Sequence, residues 1–160
     1  MSPLLSSFVE EGKTIGVEWY DSQSIEDLLN VKWQQIYAIG NLDGKVPVVL
    51  YETDKTNLPG GRTEVGETVQ QTLERELEEE INCRVVSWRP IGYQKLAVPG
   101  MSEPVYQLRV YAKLEKIGEF ENDPGGNVIG YELIELNNLN KTIHYGNVGE
   151  CMMELVASEF

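Results

Sequence analysis

The chain has 160 residues, 41% of them hydrophobic, and 26 acidic against 13 basic side chains give it a net charge of −13. That size and apolar content suit one globular domain over residues 1–160, with enough core to stand alone. The acidity argues against general nucleic-acid binding and against anionic membrane surfaces, so a phosphorylated ligand would need local cations or bound metal. Cys83 and Cys151, the two cysteines, lack metal-site spacing and read as free thiols of a reducing cytosol. Residues 1–11 hold neither a basic region nor a sustained apolar run. No signal peptide or membrane span is expected there, and a cytoplasmic location is.

Residues 14–20 read as a strand and residues 24–30 as one or two helical turns behind Ser24 as N-cap. Residues 33–39 and 46–52 flank Asp43-Gly44, a turn signal that predicts a hairpin delivering the chain to Pro59. Next comes Gly60 to Cys83, a glycine turn running into a glutamate-rich helix. Val69, Leu73, Leu77 and Ile81 recur every four residues and form an apolar stripe that anchors the helix on a core. Residues 85–88, 91–98 and 105–114 predict three strands, the last two joined through Pro99-Gly100 and Pro104. Residues 118–130 contain Asn122-Asp123-Pro124-Gly125-Gly126 and predict a long polar loop. A short strand over 131–136 follows, then a closing amphipathic helix over 148–158 with Val148, Met152, Leu155 and Val156 inward and Asn147 as N-cap.

The chemistry concentrates in the glutamate helix. Glu76, Glu79 and Glu80 stand at i, i+3 and i+4, so three carboxylates leave one side of the helix within reach of one another. Like charges so placed destabilise a helix unless a hard divalent cation cancels the repulsion, and Mg²⁺ or Mn²⁺ prefers such oxygen ligands. Arg75 can hold a carboxylate in fixed orientation, Glu67 lies near the helix start, and carbonyls of the Gly60-Gly61 turn could add a metal ligand. A solvated acidic face is the competing reading, but it leaves the preceding Leu-Pro-Gly-Gly turn and Glu67 without a role.

Gly61, Glu67, Arg75, Glu76, Leu77, Glu79 and Glu80 fall on the pattern G-x5-E-x7-R-E-U-x-E-E-x-G-U, so the segment resembles the Nudix box. Two positions depart from it. Asn82 replaces a glycine and Cys83 a bulky aliphatic residue; asparagine is the next best residue at a left-handed C-cap, and a cysteine buries as a small hydrophobe. The resemblance implies an α/β fold, the Nudix-type α/β/α sandwich with a mixed β-sheet. It implies metal binding by Glu76, Glu79, Glu80 and the Gly60 carbonyl, with Mg²⁺ or Mn²⁺ as cofactor, and catalytic roles for Glu79, Arg75 and Glu67. The reaction implied is hydrolysis of a phosphoanhydride in a nucleoside diphosphate linked to another group, such as ADP-ribose, a nucleoside triphosphate or a dinucleotide polyphosphate. The alternative is a catalytically silent nucleotide-sensing or protein-binding module of the same fold.

Family members often use an acid outside the box as base or extra ligand; Glu119, Glu121 and Asp123 are the candidates, and Asn127 falls near a position where a glutamate is common. Arg62, Tyr93, Lys95 and Arg109 are candidates for substrate binding, able to stack on a base or pair with a phosphate. Pro99, sixteen residues beyond Cys83, resembles the proline that accompanies ADP-ribose hydrolysis in some members. His144 has no neighbouring ligand pattern and reads as structural. The expected partner is a phosphorylated small molecule or nucleotide, with no membrane or nucleic acid, and a homodimer is compatible with the sequence.

Overall fold

The structure, a computed structural model, describes residues 2–21 and 32–160. The helical turns expected over 24–30 lie outside the described residues. Nine strands are described: β1 (Leu4–Glu10), β2 (Lys13–Asp21), β3 (Gln35–Asn41), β4 (Val46–Tyr51), β5 (Thr56–Asn57), β6 (Gly60–Arg62), β7 (Cys83–Ala97), β8 (Val105–Lys116) and β9 (Val128–Ile134). Three α-helices join them: α1 (Val69–Ile81), α2 (Leu139–Ile143) and α3 (Gly146–Val156). Strands β1-β2-β7-β8-β3-β6 form one sheet and β5-β4-β9 a second. The first sheet is mixed, because β3 runs parallel to β8 while its other pairs are antiparallel.

Side-chain alternation along the central strands explains the layering. Ile36 and Ala38 of β3, with Leu108, Val110 and Ala112 of β8, pack with Leu73, Leu77 and Ile81 of α1. Residues of opposite parity, Ile39 and Tyr111, join Leu139, Ile143, Val148, Met152 and Val156 of α2 and α3. Helices therefore cover both faces, which is the α/β/α arrangement expected. Strand β4 is buried from Val46 to Val49 and feeds both clusters, Val46 and Val48 to one and Val49 to the other.

Several elements differ from the expectation. The turn at Asp43-Gly44 forms, with φ of 52° and 84° and a Leu42–Lys45 bridge, but no hairpin continues from it. Strand β3 stays in the first sheet and β4 crosses to the second, because its run of buried residues needs cover on both sides. Residues 85–88 and 91–98 belong to one strand, β7, in which register shifts beside Val85 and Pro90 accommodate the proline without ending the ladder. Strand β1 has no counterpart in the expectation; it closes a hairpin with β2 through Glu11-Gly12, both at positive φ. Strand β9 starts at Val128, α2 precedes the closing helix, and Asn147 lies inside α3, whose N-cap position is Tyr145.

Gly60 sits where β6 meets β3 at φ 146°, and a Cβ there would collide with the Ile36 carbonyl oxygen and lie 2.7 Å from the Tyr37 Cα. Both neighbours are backbone and cannot swing away. Gly66, at φ 85°, has open space around it. Gly66→Ala should therefore cost only the backbone term of about 1–2 kcal/mol, and Gly60→Ala should cost clearly more, as urea denaturation of the two variants will measure.

Candidate active site

The N-terminus of α1 is fixed by a capping box. The Thr68 hydroxyl accepts from the Gln71 backbone N–H at 3.1 Å, and the Gln71 side chain accepts from the Thr68 N–H at 2.9 Å. At the other end Asn82 adopts the left-handed conformation, φ 49°, expected of a residue replacing a C-cap glycine. Its side chain also donates to the Glu119 carbonyl at 2.8 Å, and Cys83 is fully buried behind it. With Leu73, Leu77 and Ile81 turned into the core, the helix presents Glu76, Glu79 and Glu80 towards the Gly60-Gly61 edge and the loop before β9.

Arg75 ties this face together. Its Nε and Nη2 donate to the two oxygens of Glu67 at 2.8 and 2.9 Å, a bidentate pair. Nη1 donates to Glu76 Oε1 at 2.9 Å and lies 3.6 Å from Glu79, and Nη2 also donates to the Arg62 carbonyl at 2.9 Å. Glu67 further accepts from the Thr72 hydroxyl and the Glu64 N–H, at 3.0 and 2.8 Å. These bonds, foremost those from Arg75, hold the Glu67 carboxyl down at about 2 and raise the Arg75 guanidinium above its ordinary value. Arg62, a substrate candidate, thus contributes its carbonyl to the clamp while its side chain lines a cleft.

Glu80 is 5% exposed and accepts one described hydrogen bond, from the Gly60 N–H at 2.6 Å. Burial pushes its carboxyl up to about 8; the Gly60 bond opposes this, and the charges of Glu76, Asp123 and Glu79 add to it. Glu76 is raised in the same way, mainly by burial and against the pull of Arg75. The Glu76 carboxylate occupies the space a side chain would take at Gly61, where an added Cβ would lie 2.5 Å from its Oε1. Gly61 therefore serves as the floor for this carboxylate. Tyr37 and Tyr51 stand by, and burial first, with Glu80 adding to it, raises both phenols, Tyr37 to about 12.

Among the described residues, no three His, Cys, Asp or Glu side chains already stand in ligating array. Glu76 is turned to Arg75 and Glu80 to the Gly60 N–H. The donor set nevertheless suits a hard dication: every donor is an oxygen, and mutual repulsion and burial weigh on Glu76 and Glu80 in a way that a divalent charge would relieve.

The three loop acids separate. Glu119 is strongly exposed and pairs with Lys116 at 2.6 Å, so it is drawn away from the box. Glu121 is also exposed; it lines a small pocket of 430 Å³ with Arg75, Glu79 and Asn82. Asp123 is the loop acid whose charge reaches both Glu76 and Glu80, and its carboxylate is fixed by the Val128 N–H at 3.2 Å. Asn127 lines the large cleft.

That cleft, 1920 Å³, runs past Tyr37, Tyr51, Arg62, Gln107, Arg109 and Tyr145. Tyr93 and Lys95 lie on the other face of the sheet, because β7 alternates and Gln94 and Leu96 take the cleft side. Tyr93 stacks on Tyr20 with ring centroids 4.9 Å apart and meets Trp33 edge-on, and Lys95 pairs with Glu18 at 3.4 Å. Both are occupied structurally, so the structure separates them from Arg62 and Arg109. Pro99 is exposed in the β7–β8 connection, and His144 caps α2 in the left-handed conformation with its side chain exposed. Tyr37, Tyr51 and Tyr145 were not legible as cleft residues: single tyrosines on strands and beside a short helix carry no motif.

The Nudix domain model matches residues 36–150. A comparison with curated proteins by sequence returns no match. Among solved structures, the Bacillus subtilis pyrophosphohydrolase BsRppH is 20% identical, covers 96% of this chain and 97% of its own, and superposes with a TM-score of 0.72. A Nudix hydrolase from Nitrosomonas europaea is 16% identical over 79% of this chain and 90% of its own, with a TM-score of 0.63. The Nudix domain of Shewanella oneidensis NrtR, crystallised with ADP-ribose, is 14% identical over 80% of this chain and 90% of its own, with a TM-score of 0.59. At these identities the likeness concerns the fold. The family model spans most of the chain and takes in the Arg75-centred carboxylate helix, and the chain belongs to the Nudix family.

Proposed function

We propose that this chain, acting as a single domain over residues 1–160, is a divalent-metal-dependent Nudix pyrophosphohydrolase that cleaves a phosphoanhydride of a nucleoside diphosphate derivative bound in the cleft. The observation that carries this reading is the Arg75 clamp. A guanidinium that holds Glu67 bidentately and Glu76 through its third donor fixes a carboxylate face that a solvated acidic helix has no reason to fix. Glu76, Glu79 and Glu80, with Asp123 facing them, would hold Mg²⁺ or Mn²⁺. When bound, such an ion neutralises phosphate oxygens and lowers the pKa of water.

The chain's own residues supply the rest. Arg75 orients Glu67 and Glu76, which restricts how far these carboxylates can stray from the shared helix face. Glu79 stays partly exposed and only loosely held by Arg75, which suits it to accept a proton from the attacking water at a carboxylate oxygen. Gly60 positions Glu80 through its N–H. The silent-module reading is weaker because every box carboxylate is present and three of them, Glu67, Glu76 and Glu80, are hydrogen-bonded in place.

A panel of ADP-ribose, nucleoside triphosphates and dinucleotide polyphosphates, assayed with Mg²⁺ or Mn²⁺ for released phosphate or pyrophosphate, tests the reading; no metal-dependent product from any of them rejects it. Arg75→Lys keeps the charge but loses the fork, and kcat/KM should fall about 10–100-fold, the usual cost of disturbing an orienting partner. Gly61→Ala should displace the Glu76 carboxylate and lower activity while the urea midpoint moves little, since the obstructing group is the end of a flexible side chain.

Glu80 generates a pH prediction. Its folded-state value of about 8 lies above the ordinary carboxyl value of 4.5, so between those limits the folded chain binds more protons than the unfolded one. Metal-free stability should fall as pH rises from 4.5 to 8. Glu67 acts oppositely, losing its stabilising contribution as pH drops from 4.5 towards 2. Glu80→Gln should flatten the upper fall in thermal melts run with chelator. The same variant should lose the Mg²⁺-dependent rise in melting temperature seen in the parent, and its activity should drop further than that of Arg75→Lys. A parent that ignores Mg²⁺ would remove the metal from this reading.

A further inference from the structure

Arg109 is 2% exposed, yet no described carboxylate lies within ion-pair distance of it. Its guanidinium faces the ring of Tyr37 at 4.7 Å and that of Tyr145 at 5.6 Å. Of its donors, Nη2 reaches Gln107 Oε1 at 3.2 Å, while Nε and Nη1 have no partner among the described residues. A buried cation with one weak neutral acceptor is costly, and the two aromatic faces recover only part of that cost. The arrangement is nevertheless held in place. Gln107 donates to Gln35, and Tyr145 donates through its hydroxyl to Asn57, so the groups around Arg109 are themselves oriented.

The surroundings point to an anion as the missing partner. Among the described residues, five of the eight charged side chains lining the cleft are basic: Lys32, Lys55, Arg62, Arg109 and Lys141. In the chain as a whole, acids outnumber bases by 26 to 13. The cleft therefore reverses the sign of the molecule. Tyr37 connects the two regions, since it packs under the Arg109 guanidinium and also feels the charges of Glu80 and Glu76. An anion on Arg109 would lie on the Tyr37 side of Gly60, the residue whose N–H holds Glu80 and whose Cβ, if present, would meet the Tyr37 ring.

We infer that Arg109 binds a phosphate group of the substrate, and that Gln107 is the neutral acceptor which this phosphate displaces. The planar fork suits two phosphate oxygens, and a guanidinium already desolvated and clamped between rings gives up little freedom on binding. This rests on the reading of the cleft as a nucleotide site. It deepens that reading by assigning ground-state phosphate recognition to β8, apart from the carboxylates of α1.

Calorimetric titration of the full chain with inorganic pyrophosphate, in chelator and without metal, tests the inference apart from turnover. The parent should bind pyrophosphate and should ignore an unphosphorylated nucleoside. Arg109→Gln should weaken pyrophosphate binding about ten- to a hundredfold, the range of a charge-assisted hydrogen bond, with Arg109→Lys in between. Gln107→Glu is the sharper variant, because it gives Arg109 a partner inside the protein. It should weaken pyrophosphate to a similar extent. The Gln35 amide, which loses the Gln107 donor, can turn its own NH2 to the new carboxylate, so the melting temperature should be equal or higher and the test survives if Arg109→Gln fails to fold. Pyrophosphate affinity unchanged by Gln107→Glu, or no pyrophosphate binding to the parent, overturns the inference. Binding that depends on Arg109 in a protein that turns over none of the substrate panel rejects the hydrolase reading alone, and turnover with pyrophosphate affinity indifferent to both variants rejects this inference alone.

Discussion

A carboxylate 5% exposed and hydrogen-bonded to one backbone N–H is the constraint from which the rest of the site follows. Glu80 reaches Gly60 only because α1 is pressed onto β3 and β8 through Leu73, Leu77 and Ile81, and because β6 returns along β3 with a glycine at the point of closest approach. A side chain at that point would collide with the backbone of β3, part the strands and carry the N–H away from Glu80. Helix position, strand pairing and glycine identity are thus one requirement stated three ways. The carboxylate so placed sits near Glu76, Glu79 and Asp123, where burial and like charge act in the same direction.

Arg75 offsets part of that accumulation, but at the wrong end to relieve Glu80. Its bonds go to Glu67 and Glu76, with Glu79 at longer range. Glu67 is the member stabilised most, its carboxyl held at about 2. The guanidinium therefore divides the acids into a satisfied pair partner and a set left short of positive charge. A cation of higher charge density is the complement of the second set, and the first serves to keep the second in place. This division follows from where the Arg75 N–H donors point, a planar set of directions that an ammonium group does not offer.

The box was legible because it combines residue types at fixed spacing. Helix period places Glu76, Glu79 and Glu80 together, and Asn82 was readable as a left-handed cap from its chemistry. What spacing could not supply was the direction of strands. Tyr93, Lys95 and Arg109 looked equivalent on two adjacent strands, yet register shifts in β7 and parity in β8 send Arg109 to the cleft and the other two to the opposite face. Asp43-Gly44 gave the turn but not the sheet change after it, because turn chemistry acts over four residues and the burial of Val46 to Val49 depends on the whole fold. The loop acids were indistinguishable in sequence, and only the pairing of Glu119 with Lys116 and the proximity of Asp123 to the box separate them.

The distribution of charge gives these pieces a common logic. A chain with a net charge of −13 repels a polyphosphate at long range, so affinity has to arise where the local sign is reversed. The described cleft does this with cations that differ in kind. Lys32, Lys55 and Lys141 are exposed and solvated, able to steer an anion but screened by salt, whereas Arg109 is desolvated and directional. At the far side of Tyr37 the sign changes again, to carboxylates that leave a phosphate no favourable contact unless a dication intervenes. A ligand with negative charge at only one point could satisfy one of these regions. A phosphate chain long enough to pass Tyr37 would meet both, one phosphate on the protein's own cation and the next before the carboxylate face, so on the inference drawn for Arg109 the order of these two regions would decide which anhydride is presented to the box.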